Sequence, residues 1–145
     1  SPEVASDVLS RAGEASDLIV GTDEEFGFMA GGISNGLEKA QDLASTTAQA
    51  VSYKMGEKGA VPFAGGKEYH TGIFPVTALK PNGAGDSFMA GLLSGIAQGM
   101  DWSEAVLRGS ACAAIVVASP GCAPSMPDEA KLAAFLAEHP GPTTA

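Results

Sequence analysis

A stretch of small residues that ends in one carboxylate is the part of the sequence best suited to chemistry. Gly83, Ala84 and Gly85 are followed by Asp86 and then by residues with helical apolar spacing. Residues with little or no side chain let an anion approach the backbone closely. The first N–H groups of such a helix have no intrahelical acceptor and lie at the positive end of its dipole. The stretch therefore predicts a phosphate site at a helix N-terminus.

Asp86 is the residue in this stretch that could carry out a reaction. A fixed negative charge in the first turn would repel a phosphate that is only bound, so its presence indicates a chemical task. A carboxylate there could orient and deprotonate an attacking hydroxyl while the helix amides stabilise the phosphoryl group in transfer. The alternative is an ordinary tight turn in which Asp86 is an acidic first-turn residue favoured by the dipole. The stretch matches neither the G-x-x-x-x-G-K-[ST] loop nor the G-x-G-x-x-G fingerprint.

Two further turns contain residue types that suit a ligand. Gly56 and Gly59 form a Gly-x-x-Gly segment between two predicted strands, and by itself this spacing predicts a reverse turn with two positive-φ positions. Thr22 and Glu25 have T-x-x-E spacing, which is typical of a capping box in which Glu25 accepts a hydrogen bond from the Thr22 amide. The two histidines have no partner at the spacing of a metal site or a catalytic triad, so we assign neither a catalytic role.

Composition limits the classes of protein to which the chain can belong. The 145 residues are 45% hydrophobic, which suits a soluble globular protein with a single domain. The 17 acidic and 8 basic residues give a net charge of −9, which argues against nucleic acid or an anionic membrane as the partner. No apolar run approaches the roughly 18 residues of a membrane span, and the polar N-terminus lacks the apolar core of a signal peptide. We therefore expect a cytoplasmic protein in which Cys112 and Cys122 are reduced thiols.

Predicted helices and strands follow each other in an order that is typical of an α/β protein. Compact aliphatic or alternating runs predict strands over residues 17–21, 49–54, 60–63, 67–71 and 73–79. Apolar spacing and capping signals predict helices that start at Ser1 and Thr22, helices over residues 35–46 and 84–98, and a last helix opened by Pro127. Asp101 and Glu104 have D-x-x-E spacing, which predicts a capping box at the start of a helix that continues over residues 105–118. Asn35 and Glu38 have the spacing of a capping box. Phe88, Leu92 and Ile96, with Met89 and Leu93 beside them, predict a core stripe.

Residues 83–93, with the sequence GAGDSFMAGLL, resemble the second signature of the ribokinase/PfkB family of ATP-dependent sugar kinases. The resemblance implies a ribokinase-like three-layer α/β/α sandwich, of which residues 1–145 would form the C-terminal nucleotide-binding and catalytic part. The N-terminal sugar-binding and lid part of the family would be absent from the chain. In that family the Gly-Ala-Gly amides form an anion hole and the Asp is the base. The resemblance implies these roles for Gly83, Ala84, Gly85 and Asp86.

The same resemblance implies a site for ATP with Mg²⁺, and a K⁺-like monovalent cation held by backbone carbonyls of the loop after the helix of residues 105–118. Glu25 would support Mg²⁺ through water, as an alternative to its capping role. The sequence departs from the family pattern at Thr22 and Ser110, where Asn is usual, and at Lys80-Pro81, where Asp-Thr is usual. The implied nucleotide-binding residues are Lys54, Gly56, Gly59, Gly83, Gly85, Ser110, Ala111, Ala114, Gly121 and Cys122.

The substrate is implied by two segments. The Lys80-Pro81 opening and the sequence GCAPSMP at residues 121–127 resemble the branch of the family that phosphorylates 5-dehydro-2-deoxygluconate in inositol breakdown. The implied partner is therefore a small sugar or sugar acid. Two alternatives stay open. One is a non-catalytic nucleotide-binding module that forms a homodimer, and the other is a different kinase of the superfamily, such as a vitamin kinase for hydroxymethylpyrimidine or pyridoxal.

Overall fold

The computed structural model of the chain describes residues 2–139 and 141–142, so the predicted cap at Ser1 lies outside the described residues. The chain divides into two compact units, residues 1–70 and 71–145. Within the described residues, the first unit contains a sheet and three α-helices, and the second contains three α-helices and their loops. The predicted order of elements is thereby largely confirmed.

The sheet of the first unit has four strands in the order β1-β2-β3-β4. β1 and β2 are parallel, whereas β3 is antiparallel to both β2 and β4. Because parallel strands need a crossover, two helices occupy the segment between β1 and β2. The strands are β1 at Leu18–Thr22, β2 at Ala50–Lys54, β3 at Ala60–Ala64 and β4 at Lys67–Glu68.

The helices of the first unit pack an apolar core around the end of β1. Phe26 is fully buried, and its ring centroid lies 5.6 Å from that of Tyr53 in β2. Burial, with the Asp23 carboxylate as a smaller cause, raises the pKa of the Tyr53 phenol. These contacts fix the start of the second helix against the sheet. The helices are α1 at Pro2–Glu14, α2 at Asp23–Met29 and α3 at Gly36–Thr46.

The second unit is built on a close contact between its first two helices, α4 at Ala84–Ala97 and α5 at Trp102–Val117. A Cβ atom at Gly91 would lie 2.9 Å from Cys112 Sγ, and one at Gly95 would lie 3.0 Å from Ala105 Cα. The small residues therefore let the two helix backbones approach, as the sequence predicts. The third helix, α6, spans Glu129–Glu138. It buries Leu132 in a cluster whose other buried members are Phe74, Ala111, Cys112, Ala114 and Ile115.

The predicted strand over residues 73–79 is wrong, because no strand forms there in the part of the chain that the structure describes. Pro75 lacks a ladder donor. The N–H groups of Leu79 and Lys80 both donate to the Val117 carbonyl at the end of α5, at 2.8 and 3.3 Å. The segment is therefore tied to a helix end, and it leads directly into the turn before α4.

Some local details also differ from the prediction. Asn35 precedes α3 but makes no side-chain cap, because its backbone is in the αR region with ψ near 0°. Asp128, rather than Pro127, begins α6 as its N-cap and accepts a hydrogen bond from the Lys131 N–H. Leu93 and Ile96 are exposed, because α4 turns its small residues toward α5. The predicted strand over residues 67–71 is limited to two residues.

Candidate functional site

The turn before α4 presents free backbone donors. Gly83 precedes the helix in the left-handed region, with φ +85° and ψ −2°. The helical ladder begins with the Ser87 N–H, which donates to the Gly83 carbonyl at 2.9 Å. The Ala84 N–H donates back to the Pro81 carbonyl at 3.2 Å. The Gly85 and Asp86 amides come before the first ladder bond and have no intrahelical acceptor. The turn itself uses the Ala84 donor, whereas the Gly85 and Asp86 amides remain available to the predicted anion hole.

Gly83 is required at this position by its backbone angle and by its surroundings. Its positive φ strains any residue with a Cβ. A Cβ there would also lie 3.3 Å from Cys122 Cβ and 3.5 Å from both Cys122 Sγ and Val116 Cγ1. The loop after α5 therefore packs directly on the turn. This contact brings Cys122, a predicted nucleotide-site residue, next to the predicted anion hole.

Asp86 lies in the first turn of α4, and its side chain is exposed. Within residues 2–139 and 141–142, no basic side chain lies within 4.0 Å of its carboxylate. Ser87, the next residue, is 1% exposed, and its Oγ has no hydrogen-bond partner in the described chain. The first turn therefore combines an available carboxylate with donors that a ligand or a water could satisfy.

Lys80 joins this cluster, although the sequence indicates it only as a departure from the family motif. Its Nζ lies 3.5 Å from Cys122 Sγ, and the Cys122 thiol donates to the Asn82 carbonyl at 3.3 Å. The sequence alone could have indicated Lys80, because the second unit contains only three Lys and Arg residues: Lys80, Arg108 and Lys131. A rare cation three positions before Gly83 is a candidate for contact with an anion at the turn.

The predicted wall for a base divides into buried and accessible residues. Ala111 is 0% exposed and Ala114 is 6% exposed, and both belong to the apolar cluster of the second unit. Their methyl groups are packed inside that unit and leave almost no surface for a base. Ser110, Gly121 and Cys122 are half-buried and keep accessible surface. The resemblance implied these alanines as part of the wall, whereas the structure packs them in the core.

Cys112 and Cys122 are free thiols, as the sequence predicts. Burial raises the pKa of the Cys112 thiol, which keeps it protonated. A Cβ at Gly121 would lie 2.5 Å from Ser125 Oγ, which accepts a hydrogen bond from the Gly121 N–H at 3.0 Å. The loop that carries Cys122 is therefore fixed by its own hydrogen bond.

In the first unit, the other candidates lie at one edge of the sheet. Thr22 at the end of β1 is in register with Lys54 at the end of β2, and the strands are parallel. The start of α2, with Glu25, and the turn from Gly56 to Gly59 therefore follow neighbouring strand ends. The carboxyl ends of parallel strands are the usual location of ligand sites in α/β sheets.

Glu25 forms the predicted capping box. Its Oε2 accepts hydrogen bonds from the Thr22 N–H at 2.7 Å and from Thr22 Oγ1 at 3.2 Å, and the Glu25 N–H donates to Thr22 Oγ1 at 3.2 Å. Both capping contacts use Oε2, which leaves Oε1 for a water or an ion. The described residues contain no group of three or more His, Cys, Asp or Glu that could hold a metal. The water-mediated Mg²⁺ role of Glu25 stays a prediction.

The turn after β2 has the two positive-φ glycines that its sequence predicts. Gly56 has φ +59° and Gly59 has φ +88°. The Met55 N–H donates to the Gly59 carbonyl at 2.8 Å, and the Gly59 N–H donates to the Gly56 carbonyl at 3.2 Å. A Cβ at Gly56 would meet nothing within 4 Å, so that side of the turn is open. Lys54 is half-buried at the end of β2. Contact of these residues with a nucleotide stays a prediction.

The described part of the chain contains no helix with the length and apolar content needed to cross a membrane.

The chain matches known proteins over most of its length. The profile of the pfkB family carbohydrate kinases matches residues 1–129. A 5-dehydro-2-deoxygluconokinase from Bacillus thuringiensis (strain Al Hakam) is 35% identical over 130 residues, which is 86% of this chain and 39% of that protein.

Two solved structures have similar folds. Arabidopsis thaliana ribokinase complexed with ribose and ATP is 26% identical with a TM-score of 0.75, over 88% of this chain and 43% of that one. A double-mutant fructokinase from Vibrio cholerae O395, in a fructose, ADP and potassium ion bound form, is 28% identical with a TM-score of 0.74. That match covers 87% of this chain and 42% of the fructokinase. The chain thus spans about two-fifths of the length of these relatives.

Proposed function

Because the chain belongs to the pfkB family of carbohydrate kinases and has a ribokinase-like α/β fold in part, we propose that it provides the nucleotide-binding and catalytic-base part of an ATP-dependent kinase. The acceptor is a hydroxyl of a sugar or sugar acid. The observation that carries this proposal is the start of α4, where two amides without intrahelical acceptors adjoin an exposed carboxylate.

The residues of this turn have separate tasks in phosphoryl transfer. The Gly85 and Asp86 amides and the positive end of the α4 dipole stabilise charge on the equatorial oxygens of the γ-phosphoryl group. Asp86 accepts the proton of the attacking hydroxyl. The hydroxyl oxygen forms a bond to the γ-phosphorus, the bond from that phosphorus to the bridging oxygen breaks, and ADP leaves. Gly83 fixes the turn that presents these amides, since its positive φ and its packing on Cys122 both disfavour a side chain there.

Mg²⁺ fits the chain as an ion that arrives with the nucleotide. Mg²⁺ at kinase sites is held mainly by substrate phosphates and waters, with one or two carboxylates. Glu25 would hold it through a water on Oε1, and this contact is compatible with the cap that Oε2 makes. When bound, Mg²⁺ neutralises charge on the phosphate oxygens.

The substrate we propose is 5-dehydro-2-deoxygluconate, in the breakdown of inositol. The support is the relative that is 35% identical and named for that activity, together with the Lys80-Pro81 opening and the segment at residues 121–127. Nothing in the described residues favours a vitamin substrate over a sugar acid.

A chimeric enzyme tests the proposal. The matched segment of the Bacillus thuringiensis relative is replaced by this chain, and ADP release is measured with 5-dehydro-2-deoxygluconate and with pyridoxal. We expect turnover with the sugar acid, and we expect Asp86→Asn to abolish it while MgATP affinity changes less than about threefold, because the carboxylate acts on the proton and not on the nucleotide. Unchanged turnover in Asp86→Asn would remove Asp86 from its role. MgATP binding without turnover would leave the chain a non-catalytic nucleotide-binding module.

A further inference from the structure

Lys80 and Lys131 are the basic residues of the second unit that have no carboxylate partner within 4.0 Å in the described chain. Arg108 pairs with Glu129 and donates to Ser94 Oγ at 2.8 Å, so its charge is used within the fold. Lys131 Nζ faces the Ser125 carbonyl at 3.5 Å, in the segment before α6. No Asp or Glu oxygen lies within 4.0 Å of Lys80 Nζ among residues 2–139 and 141–142.

The ammonium of Lys80 is held between two loops. The backbone N–H of Lys80 donates to the Val117 carbonyl, and Lys80 Nζ lies 3.5 Å from Cys122 Sγ. The same sulfur contacts the Asn82 carbonyl and would touch a Cβ at Gly83. An ammonium has three N–H donors, and a thiol sulfur is a weak acceptor. Lys80 is a half-buried residue whose ammonium keeps donors available for a ligand beside the turn that leads into α4.

We propose that Lys80 supplies a fixed positive charge to the phosphate chain of a nucleotide at the α4 turn, in place of a monovalent metal ion. The inference rests on the proposed function and deepens it. A phosphate oxygen would satisfy the donors that the thiol leaves unused, and a charge-assisted hydrogen bond of this kind is strong. The cation adds to the α4 dipole at the same place.

The K⁺ site implied by the resemblance does not fit this structure. That site would lie against the loop after α5, and the Lys80 ammonium already contacts Cys122 in that loop. A K⁺ ion placed beside it would meet a like charge. The dissociation constant of the nucleotide should therefore not change when Na⁺ is replaced by K⁺.

Matched lysine variants of the 145-residue chain test the inference. Lys80→Met removes the charge and keeps the apolar stem, and Lys80→Gln is a second neutral variant in case the first does not fold. Lys80→Arg retains the charge, and Lys131→Met removes the same charge elsewhere in the unit. Calorimetric titration with MgATP and with tripolyphosphate is carried out in NaCl and in KCl, with thermal unfolding as the control for folding.

We expect the neutral variants to weaken binding of both probes by roughly 10- to 100-fold. Lys80→Arg and Lys131→Met should stay within about threefold of the wild type, and K⁺ should change no dissociation constant. Wild-type affinity in Lys80→Met, equal loss in Lys131→Met, or tighter wild-type binding in KCl would each overturn the inference and leave the proposed function standing. A wild-type chain that binds neither probe overturns both. If the chain binds MgATP in a Lys80-dependent way but the chimera transfers no phosphoryl group, only the kinase proposal is overturned.

Discussion

Replacing Gly83 with alanine tests how the turn before α4 holds a nucleotide. The φ of Gly83 is +85°, a conformation that costs an L-residue about 1–2 kcal/mol. The added Cβ would also lie 3.3 Å from Cys122 Cβ, which is a tight contact. We expect Gly83→Ala to lower the melting temperature by roughly 2–8 °C, since each kcal/mol shifts it by about 2–4 °C in a chain near this size.

The same substitution should weaken nucleotide binding more than its effect on stability suggests. Relief of the strain rotates the turn, and the Gly85 and Asp86 amides then move away from the phosphate. A displacement of about 1 Å at a positioned site can reduce activity by about 100-fold, so a loss of MgATP affinity of at least about tenfold is expected. Calorimetric titration of the chain with MgATP measures it.

Gly99→Ala is the matched control. Gly99 follows α4 at its other end with φ +79°, and a Cβ there would meet nothing within 4 Å. The variant therefore has the same kind of backbone strain without contact to the turn. We expect a similar loss of melting temperature and unchanged MgATP affinity. Wild-type affinity in Gly83→Ala, or an equal loss of affinity in both variants, would refute the reasoning.

Two further outcomes are expected. Glu25→Gln should keep the melting temperature, because Gln also completes a capping box with Thr22. The same variant should raise the Mg²⁺ concentration needed for half-maximal ATP binding. An unchanged Mg²⁺ dependence would show that Glu25 serves only as part of the helix cap. The Arg108 hydrogen bond lowers the pKa of Glu129 below its usual 4.5, so the pair contributes stability above pH 4.5 that is lost as the pH falls through the lowered pKa. Glu129→Gln should therefore unfold at a lower temperature at neutral pH and lose less stability on acidification; parallel pH profiles of the two proteins would contradict this.

Much of the fold could be predicted because local signals and tertiary packing agree. The T-x-x-E and D-x-x-E spacings at Thr22 and Asp101 both form complete capping boxes. Hydrogen bonds to the cap lower the pKa of Asp101, chiefly the one from the Glu104 amide. Positive φ at Gly99 follows from its place just after the C-terminal end of α4, where a left-handed glycine is common. Each of these features depends on residues within one turn of each other.

The errors arose where a distant group decides the local structure. The segment around Pro75 reads as a strand, but its end hydrogen-bonds to Val117, which no local pattern reveals. The resemblance implied Ala111 as a nucleotide-binding residue, whereas the structure packs it in a cluster with Phe74 and Leu132. Lys80 became a candidate only when its contact with Cys122, 42 residues away, was known.

The most direct test of the account is a calorimetric titration of the 145-residue chain with MgATP, with Gly83→Val as the control. The account predicts saturable binding with one site per chain, and it predicts that the control loses this binding while it stays folded. Absence of binding by the wild-type chain, or equal binding by Gly83→Val, would contradict the claim that the start of α4 holds the nucleotide phosphates.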